Sequence, residues 1–209
     1  MMQFNQPKIY RIGKITTSDT EIKDLVLGWI AISLAFAVIL SPTGFSLSQQ
    51  FILFFAVAAI GVGSGFIFHE LGHKIVAQKY GCFAEFRANY FMLVLAVLMS
   101  FFGFVFAAPG AVMIAGGHVD FRRSGKISLA GPLINFILSV VFLGLNFIYP
   151  SMIFAYGFTI NAWLGLFNMI PFGFFDGMKI FRWSKPVYAL AVIAGAALLF
   201  LGNSGFLLK

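Results

Sequence analysis

Six apolar stretches, separated by short polar connectors, restrict what this chain can fold into. They cover roughly residues 25–41, 51–79, 90–106, 127–148, 152–171 and 186–205. About 17–25 apolar residues in a helix are enough to cross a bilayer. Only 10% of the residues are charged, whereas a soluble domain carries about 25%. We therefore predict an all-α polytopic protein in the lipid bilayer, with about five to six transmembrane helices.

The positions of the basic residues predict the topology. Thirteen of the 14 lysines and arginines lie in the N-terminal segment, between 74 and 126, or between 179 and 185. The connectors 41–50 and 146–151 contain no charged residue. Cytoplasmic loops carry the lysine and arginine excess of a membrane protein. We expect a cytoplasmic N-terminus, external connectors and residence in the cell membrane, and this distribution explains the net charge of +7 without a nucleic-acid partner.

This sorting of charge requires an unusual element between residues 90 and 115. If 90–106 crossed the membrane, Arg87 and the basic residues at 122–126 would face opposite sides. The sequence continues as AAPGAVMIAGG, in which proline and glycine interrupt a short β-prone run. We predict a re-entrant element with a short β segment here, which membranes tolerate when protein covers it. An ordinary further span is the alternative.

The domain organisation follows from the same pattern. No linker separates the apolar stretches, and no internal repeat is visible. Residues 1–24 are predicted to form a polar cytoplasmic N-terminus, and residues 25–209 a single membrane domain.

The sequence HELGH, residues 69–73, places ionisable groups at the end of the second apolar stretch. Residues i and i+4 of a helix lie on one face, so His69 and His73 can bind one metal ion. The H-E-x-x-H pattern on a helix is typical of two zinc ligands, with the glutamate, here Glu70, as general base. The alternative is a helix end at which these side chains meet the membrane interface.

A catalytic zinc needs a third protein ligand, and Asp176 is the best candidate among the seven acidic residues. It ends an otherwise apolar stretch, in which Pro171 interrupts the helix and glycines permit a turn. Capping of a surface turn is the alternative for Asp176. Glu85 and Asp120 are flanked by basic residues and are expected to be solvated, and His118 is expected to be a loop histidine.

Three motifs occur together in the order HELGH, AGPLINF (130–136) and NMIPFGFFDG (168–177). This combination resembles the site-2 protease family of intramembrane zinc metalloproteases, and it covers residues 51–180. Met178 stands where the family often has a second glycine, and 90–106 is longer than a minimal member needs. The resemblance is to a minimal form without PDZ or CBS domains.

The resemblance implies one zinc ion per chain, held by His69, His73 and Asp176, with Glu70 activating the water. It also implies that Asn168 holds the substrate backbone or a developing oxyanion. Asn135 is assigned to the same role or to a hydrogen bond across helices. The implied activity is an intramembrane zinc endopeptidase that cleaves single-span membrane proteins near the cytoplasmic face. A metal transporter and a non-catalytic metal-binding membrane protein are the alternatives.

Overall fold

The computed structural model describes residues 8–13, 15–105, 109–117 and 119–203, so His118 lies outside the described residues. The helices are α1 (Asp19–Leu40), α2 (Gln49–Ala58), α3 (Ser64–Lys79), α4 (Tyr90–Ser100), α5 (Phe121–Ile148), α6 (Met152–Phe167), α7 (Asp176–Trp183) and α8 (Lys185–Asn203). The strands are β1 (Ile9–Ile12), β2 (Ile15–Ser18), β3 (Phe83–Ala88) and β4 (Gly110–Ala115). A π-helical segment, Ala59–Gly63, joins α2 and α3 into one continuous helix.

The length and hydropathy of the helices define a membrane protein. Among the described residues, four helices are long and apolar enough to cross a bilayer. They are Asp19–Leu40, Gln49–Lys79, Phe121–Ile148 and Lys185–Gly202. Two shorter apolar helices, α4 and α6, accompany them. The predicted all-α polytopic membrane fold is confirmed.

Helix α6 returns the chain along α5 to the metal-motif helix. Its 16 residues extend about 24 Å. His73 on α3 contacts Ile127, near the start of α5, and Asp176, beyond the end of α6. The chain therefore runs away from His73 along α5 and back to it along α6.

The chain between β3 and β4 leaves a sheet and returns to it. Ala88 pairs with Gly110, and Phe83 with Ala115, in an antiparallel register. Helix α4 lies between the strands and has 11 residues, or about 17 Å, which is too short for a hydrocarbon core of about 30 Å. The predicted short β segment is present, and the chain returns to the sheet that it left, as a re-entrant element requires, in the described residues, which omit 106–108. Strand β3 was not predicted, because Glu85 and Arg87 within it suggested a loop.

The polar N-terminal residues form secondary structure, and α1 begins inside the segment 1–24. Strands β1 and β2 form an antiparallel hairpin, and α1 begins at Asp19 with Ser18 as its N-cap. Glu21 is fully buried, forms an ion pair with Lys74 and accepts a hydrogen bond from the Phe86 backbone N–H at 2.9 Å. The helix begins earlier than expected because its polar first turns bind α3 and β3.

Two further acidic residues, Glu85 on β3 and Asp120 before α5, differ in their exposure to solvent. Glu85 is 2% exposed and forms an ion pair with Arg87, so the expectation of a solvated Glu85 was wrong. It is buried because it lies on a strand packed under α1 and α3. Asp120 is exposed and caps α5 by accepting a hydrogen bond from the Arg123 N–H at 2.7 Å.

Small residues on the π-helical segment allow neighbouring helices to approach it. A Cβ added to Gly61 would lie 3.2 Å from the Cα of Gly157 on α6. Backbone carbonyls of the segment accept hydrogen bonds from side chains on other helices: Trp29 Nε1 donates to Ala59 at 3.0 Å, and Asn161 Nδ2 donates to Gly61 at 2.9 Å. The wide turn is thereby fixed between α1 and α6.

Candidate metal centre

Helix α3 directs its two motif histidines toward one point. His69 and His73 are separated by one helical turn and lie on the same face. Their Nε2 atoms are 3.0 Å apart, and both side chains are buried. The spacing recognised in the sequence therefore produces a converging pair of nitrogen atoms.

Asp176 reaches the same point from the first residue of α7. Its Oδ2 lies 3.3 Å from His69 Nε2 and 3.1 Å from His73 Nε2. Burial of Asp176 acts to raise the pKa of its carboxyl, but the adjacent His73 and His69 lower that pKa below its usual range. The carboxyl group of Asp176 thus faces both imidazoles within hydrogen-bonding distance.

The loop between α6 and α7 sets the position of Asp176. Gly173 has a φ of 64°, which favours glycine. The Gly177 N–H donates to the Asn168 carbonyl at 2.7 Å. A Cβ at Gly177 would lie 2.2 Å from the Met169 carbonyl oxygen, so no other residue fits at this position without a shift.

The three donor atoms fit a tetrahedral metal ion. Zinc binds histidine nitrogen and carboxylate oxygen at about 2.0–2.2 Å, so two ligands of a tetrahedral site lie roughly 3.3–3.6 Å apart. The observed separations of 3.0, 3.1 and 3.3 Å approach these values. Among the described residues, His69, His73 and Asp176 form a group of side chains close enough together to hold a metal ion. This donor set leaves a fourth position for water, as in catalytic zinc sites.

The other ring nitrogens of the histidines face hydrogen-bond acceptors. His69 Nδ1 lies 2.6 Å from Asn135 Oδ1, and His73 Nδ1 lies 2.8 Å from the Ile127 carbonyl oxygen. An acceptor at Nδ1 fixes the proton there and leaves the lone pair on Nε2 for a metal. In both histidines, Nε2 is therefore the nitrogen left available to a metal ion.

Gly131, from the AGPLINF motif, forms one wall of the centre. A Cβ added to it would lie 2.5 Å from His73 Nε2 and 2.6 Å from His69 Nε2. Helix α5 thus approaches the donor atoms with bare backbone. A side chain at position 131 would therefore occupy the space next to the two donor nitrogens.

Glu70 belongs to the same helix, α3, as the two histidines. It follows His69 on α3 and is 8% exposed. The sequence motif predicts this glutamate as general base, and that role stays a prediction here.

The two asparagines of the motifs differ in their surroundings. Asn135 is fully buried and forms hydrogen bonds across helices, to His69 and also to Asn161 on α6. Asn168 donates from Nδ2 to the Leu164 carbonyl at 2.9 Å, and its own carbonyl accepts from Gly177. The geometry makes Asn168 part of the loop that presents Asp176, and its predicted contact with substrate stays a prediction.

Sequence reasoning missed Asn161, which is fully buried on α6. Its signal was a single amide in an otherwise apolar helix, and polar side chains inside membrane helices form hydrogen bonds across helices. It also missed Gly131 as the wall of the centre. Within the AGPLINF motif, the sequence analysis had selected Asn135 as the candidate site residue.

A buried histidine pair and a carboxylate, close enough together to hold a metal ion in a bundle of membrane helices, define a polytopic membrane protein with a candidate metal centre. The chain is 44% identical over 179 residues to "Putative zinc metalloprotease MJ0611" of Methanocaldococcus jannaschii, a match that covers 83% of this chain and 89% of the relative. It is 30% identical over 135 residues to "Zinc metalloprotease MJ0392" of the same organism, covering 62% of this chain and 34% of that protein. The chain belongs to this family of zinc metalloproteases.

Two other comparisons gave no match. No protein-family model matches the chain, and no solved structure matches it significantly.

Proposed function

We propose that this protein is a zinc endopeptidase of the site-2 protease type, which cleaves membrane-spanning segments of other proteins near the cytoplasmic face. The observation that carries the proposal is the triangle of His69 Nε2, His73 Nε2 and Asp176 Oδ2, whose two histidines lie on the helix that also carries Glu70, in a protein built of membrane helices. The family supplies the metalloprotease class. The location of the triangle within the helices supports cleavage inside the membrane.

Each residue of the centre has a distinct task in peptide hydrolysis. His69, His73 and Asp176 would hold zinc, which supplies a Lewis acid and lowers the pKa of a bound water to about 7. Glu70 accepts the proton of the attacking water and delivers it to the leaving nitrogen. Burial of the centre strengthens these charge interactions, because the local dielectric constant is low.

The position of the centre along α3 supports cleavage toward one side of the bilayer. His69 lies about 27 Å along the continuous helix from Phe51, close to the end that carries the basic residues 74 and 79. Basic residues mark the cytoplasmic side. The substrate bond would therefore be cut near the cytoplasmic face.

The β3–β4 sheet offers a means of holding an unwound substrate. A transmembrane helix hides its carbonyls in internal hydrogen bonds, so a substrate must become extended before it is cleaved. In the described residues β4 pairs with β3 on one side only, and most of β4 is exposed. An extended segment can add to such an edge through main-chain hydrogen bonds.

A metal transporter, the alternative left by the sequence, predicts ligand groups at several depths along the spans. Within the described part of the chain, one group of three or more His, Cys, Asp or Glu side chains lies close enough together to hold a metal ion. It consists of His69, His73 and Asp176. One centre next to a glutamate favours hydrolysis over transport.

The proposal is tested with the purified full chain in detergent and a single-span test substrate. We expect cleavage within the spanning segment, its loss on treatment with a zinc chelator, and its return when zinc is restored. Mass spectrometry of the products locates the cut. Cleavage that persists in excess chelator, or the absence of cleavage by zinc-loaded protein on a panel of spanning segments, contradicts the proposal.

A further inference from the structure

Asn161 is a buried amide whose orientation is fixed by two backbone carbonyls. Its Nδ2 donates to the Gly61 carbonyl at 2.9 Å and to the Gly157 carbonyl at 2.8 Å. Carbonyl oxygens only accept hydrogen bonds. The NH₂ group of Asn161 must therefore face them, and its Oδ1 must face the other way.

Asn135 is oriented by Asn161 in turn. Asn161 Oδ1 accepts from Asn135 Nδ2 at 3.2 Å, and the same Nδ2 donates to the Gly65 carbonyl at 3.2 Å. The amide of Asn135 thus has its donor side turned toward two acceptors. Its Oδ1 is left facing His69 Nδ1 at 2.6 Å.

We propose that Asn161 is a positioning residue of the metal centre, which acts through Asn135 to hold His69 in the tautomer protonated on Nδ1. This inference rests on the proposed zinc site. With Asn135 Oδ1 as acceptor, His69 keeps its lone pair on Nε2, the atom that faces His73 and Asp176. If the Asn135 amide turned over, its NH₂ would face Nδ1 and the ring proton would move to Nε2, which then cannot bind a metal.

Small residues make room for this chain of hydrogen bonds. A Cβ at Gly65 would lie 2.3 Å from Asn161 Oδ1, and Gly61 packs against the backbone of Gly157. Asn135 and Asn161 are both fully buried, so water does not compete for their bonds. The amide orientations are consequently determined by protein groups.

The test replaces Asn161 and measures the metal site in the full chain purified in detergent. Asn161→Leu keeps the number and branching of the side-chain heavy atoms and removes both the donor and the acceptor. Loss of an outer partner of a metal ligand typically weakens metal binding about 10–100-fold. We expect zinc affinity, measured by competition with a chelator, to fall by about tenfold for Asn161→Leu.

A second readout reports the tautomer itself. Histidine labelled with ¹⁵N has distinct Nδ1 and Nε2 shifts for the two neutral tautomers, and the chain has three histidines, which single replacements assign. We expect the metal-free wild type to show His69 protonated on Nδ1. Asn161→Leu should show a mixture of the two tautomers at His69 and no change at His73.

Ser139→Ala is the matched control. Ser139 is fully buried and donates to the Phe158 carbonyl at 2.9 Å, so it links the same two helices, α5 and α6, without contacting the amide pair. We expect both variants to lower thermal stability, and only Asn161→Leu to change the zinc affinity and the His69 tautomer.

Asn161→Ser provides a variant that is easier to fold. Its hydroxyl can donate to the Gly157 carbonyl, four residues earlier in the same helix, but it is too short to support Asn135. It should weaken zinc binding as Asn161→Leu does. In an Asn135→Leu background, replacement of Asn161 should have no additional effect on zinc affinity.

Wild-type zinc affinity and an unchanged His69 tautomer in both Asn161 variants would overturn the proposal. So would additive losses of zinc affinity in the double variant. A wild-type protein that binds no zinc would instead refute the metal centre, and with it the protease function. The two failures are therefore distinguishable.

Discussion

His73 Nδ1 lies 2.8 Å from the backbone carbonyl oxygen of Ile127. The acceptor that orients this histidine is thus part of the α5 main chain, and side-chain replacement at Ile127 leaves it in place. The partner of His69 is a side chain, Asn135. The two histidines of the candidate metal centre therefore differ in how their orientation can be disturbed.

Gly131→Ala should abolish zinc binding. The added Cβ would lie within 2.6 Å of both donor nitrogens, closer than real Cβ contacts come, so at least one ligand must move. Metal content after gel filtration measures the loss. Gly144→Ala on the same helix is the control, because a Cβ there meets nothing within 4 Å; equal zinc content in the two variants would show that the α5 wall does not limit the site.

Asp176→Asn should lose tight zinc binding. The amide is almost isosteric, but it removes the negative charge that faces the two imidazoles at 3.1 and 3.3 Å. The loss of affinity should exceed the ~10–100-fold effect of an outer partner. Asp120→Asn, which keeps an N-cap residue on α5, should bind zinc normally. Undiminished zinc in Asp176→Asn would remove this residue from the metal site.

Glu70→Gln should abolish proteolysis while zinc stays bound. Glutamine keeps the volume of the side chain, so the packing of α3 and both histidines should persist. It lacks a carboxylate to accept the proton of water, and general-base assistance is worth about 10²–10⁴-fold in rate. Cleavage assays and zinc analysis of the same preparation check both parts. Wild-type cleavage by Glu70→Gln would show that the mechanism is wrong.

The external connectors should be labelled from outside the cell, and the segment that precedes α5 should not. Cys82 is the single cysteine and is buried, so a Cys82→Ala chain is a suitable background. Single cysteines at Leu47 and Tyr149, both strongly exposed, should react with an impermeant thiol reagent in intact cells. A cysteine at Arg122 should react only after permeabilisation, and external labelling there would contradict the proposed topology.

Lys74→Met should destabilise the protein strongly. Lys74 is 2% exposed and its ammonium group is paired with Glu21. Removal of one partner of a buried pair typically costs about 3–5 kcal/mol, which thermal unfolding in detergent will detect. Glu21→Gln combined with Lys74→Met should recover part of the loss, and Lys79→Met, at an exposed position of α3, should change little. A Lys74→Met chain as stable as the wild type would contradict this account.

The sequence supported the parts of the site that depend on local geometry. The pair His69 and His73 follows from helical spacing alone, and Asp176 stood out as an acidic residue in an apolar segment. The re-entrant element followed from the sides on which basic residues are tolerated. Each of these three predictions depends on the residues of a single segment or on the distribution of basic residues along the chain.

The parts that could not be predicted depend on distant partners. Glu21 and Lys74 are separated by 53 positions, so nothing local showed that either would be buried. Strand β3 contains charged residues and pairs with β4 across a whole helix. The hydrogen-bond partners of Asn161 come together only when the helices pack, so they could not be predicted from the sequence.

The π-helical segment Ala59–Gly63 also bears on how this chain tolerates changes of length. A π turn holds about one residue more than an α turn, so the segment is equivalent to an insertion absorbed locally. A deletion of one residue within it would convert the turn to α-helix and keep α3 facing the same way. The same deletion a few residues later would rotate His69 and His73 by about 100°, away from Asp176. The histidines are thus shielded from a one-residue deletion in this segment, but not from one in the helix that follows.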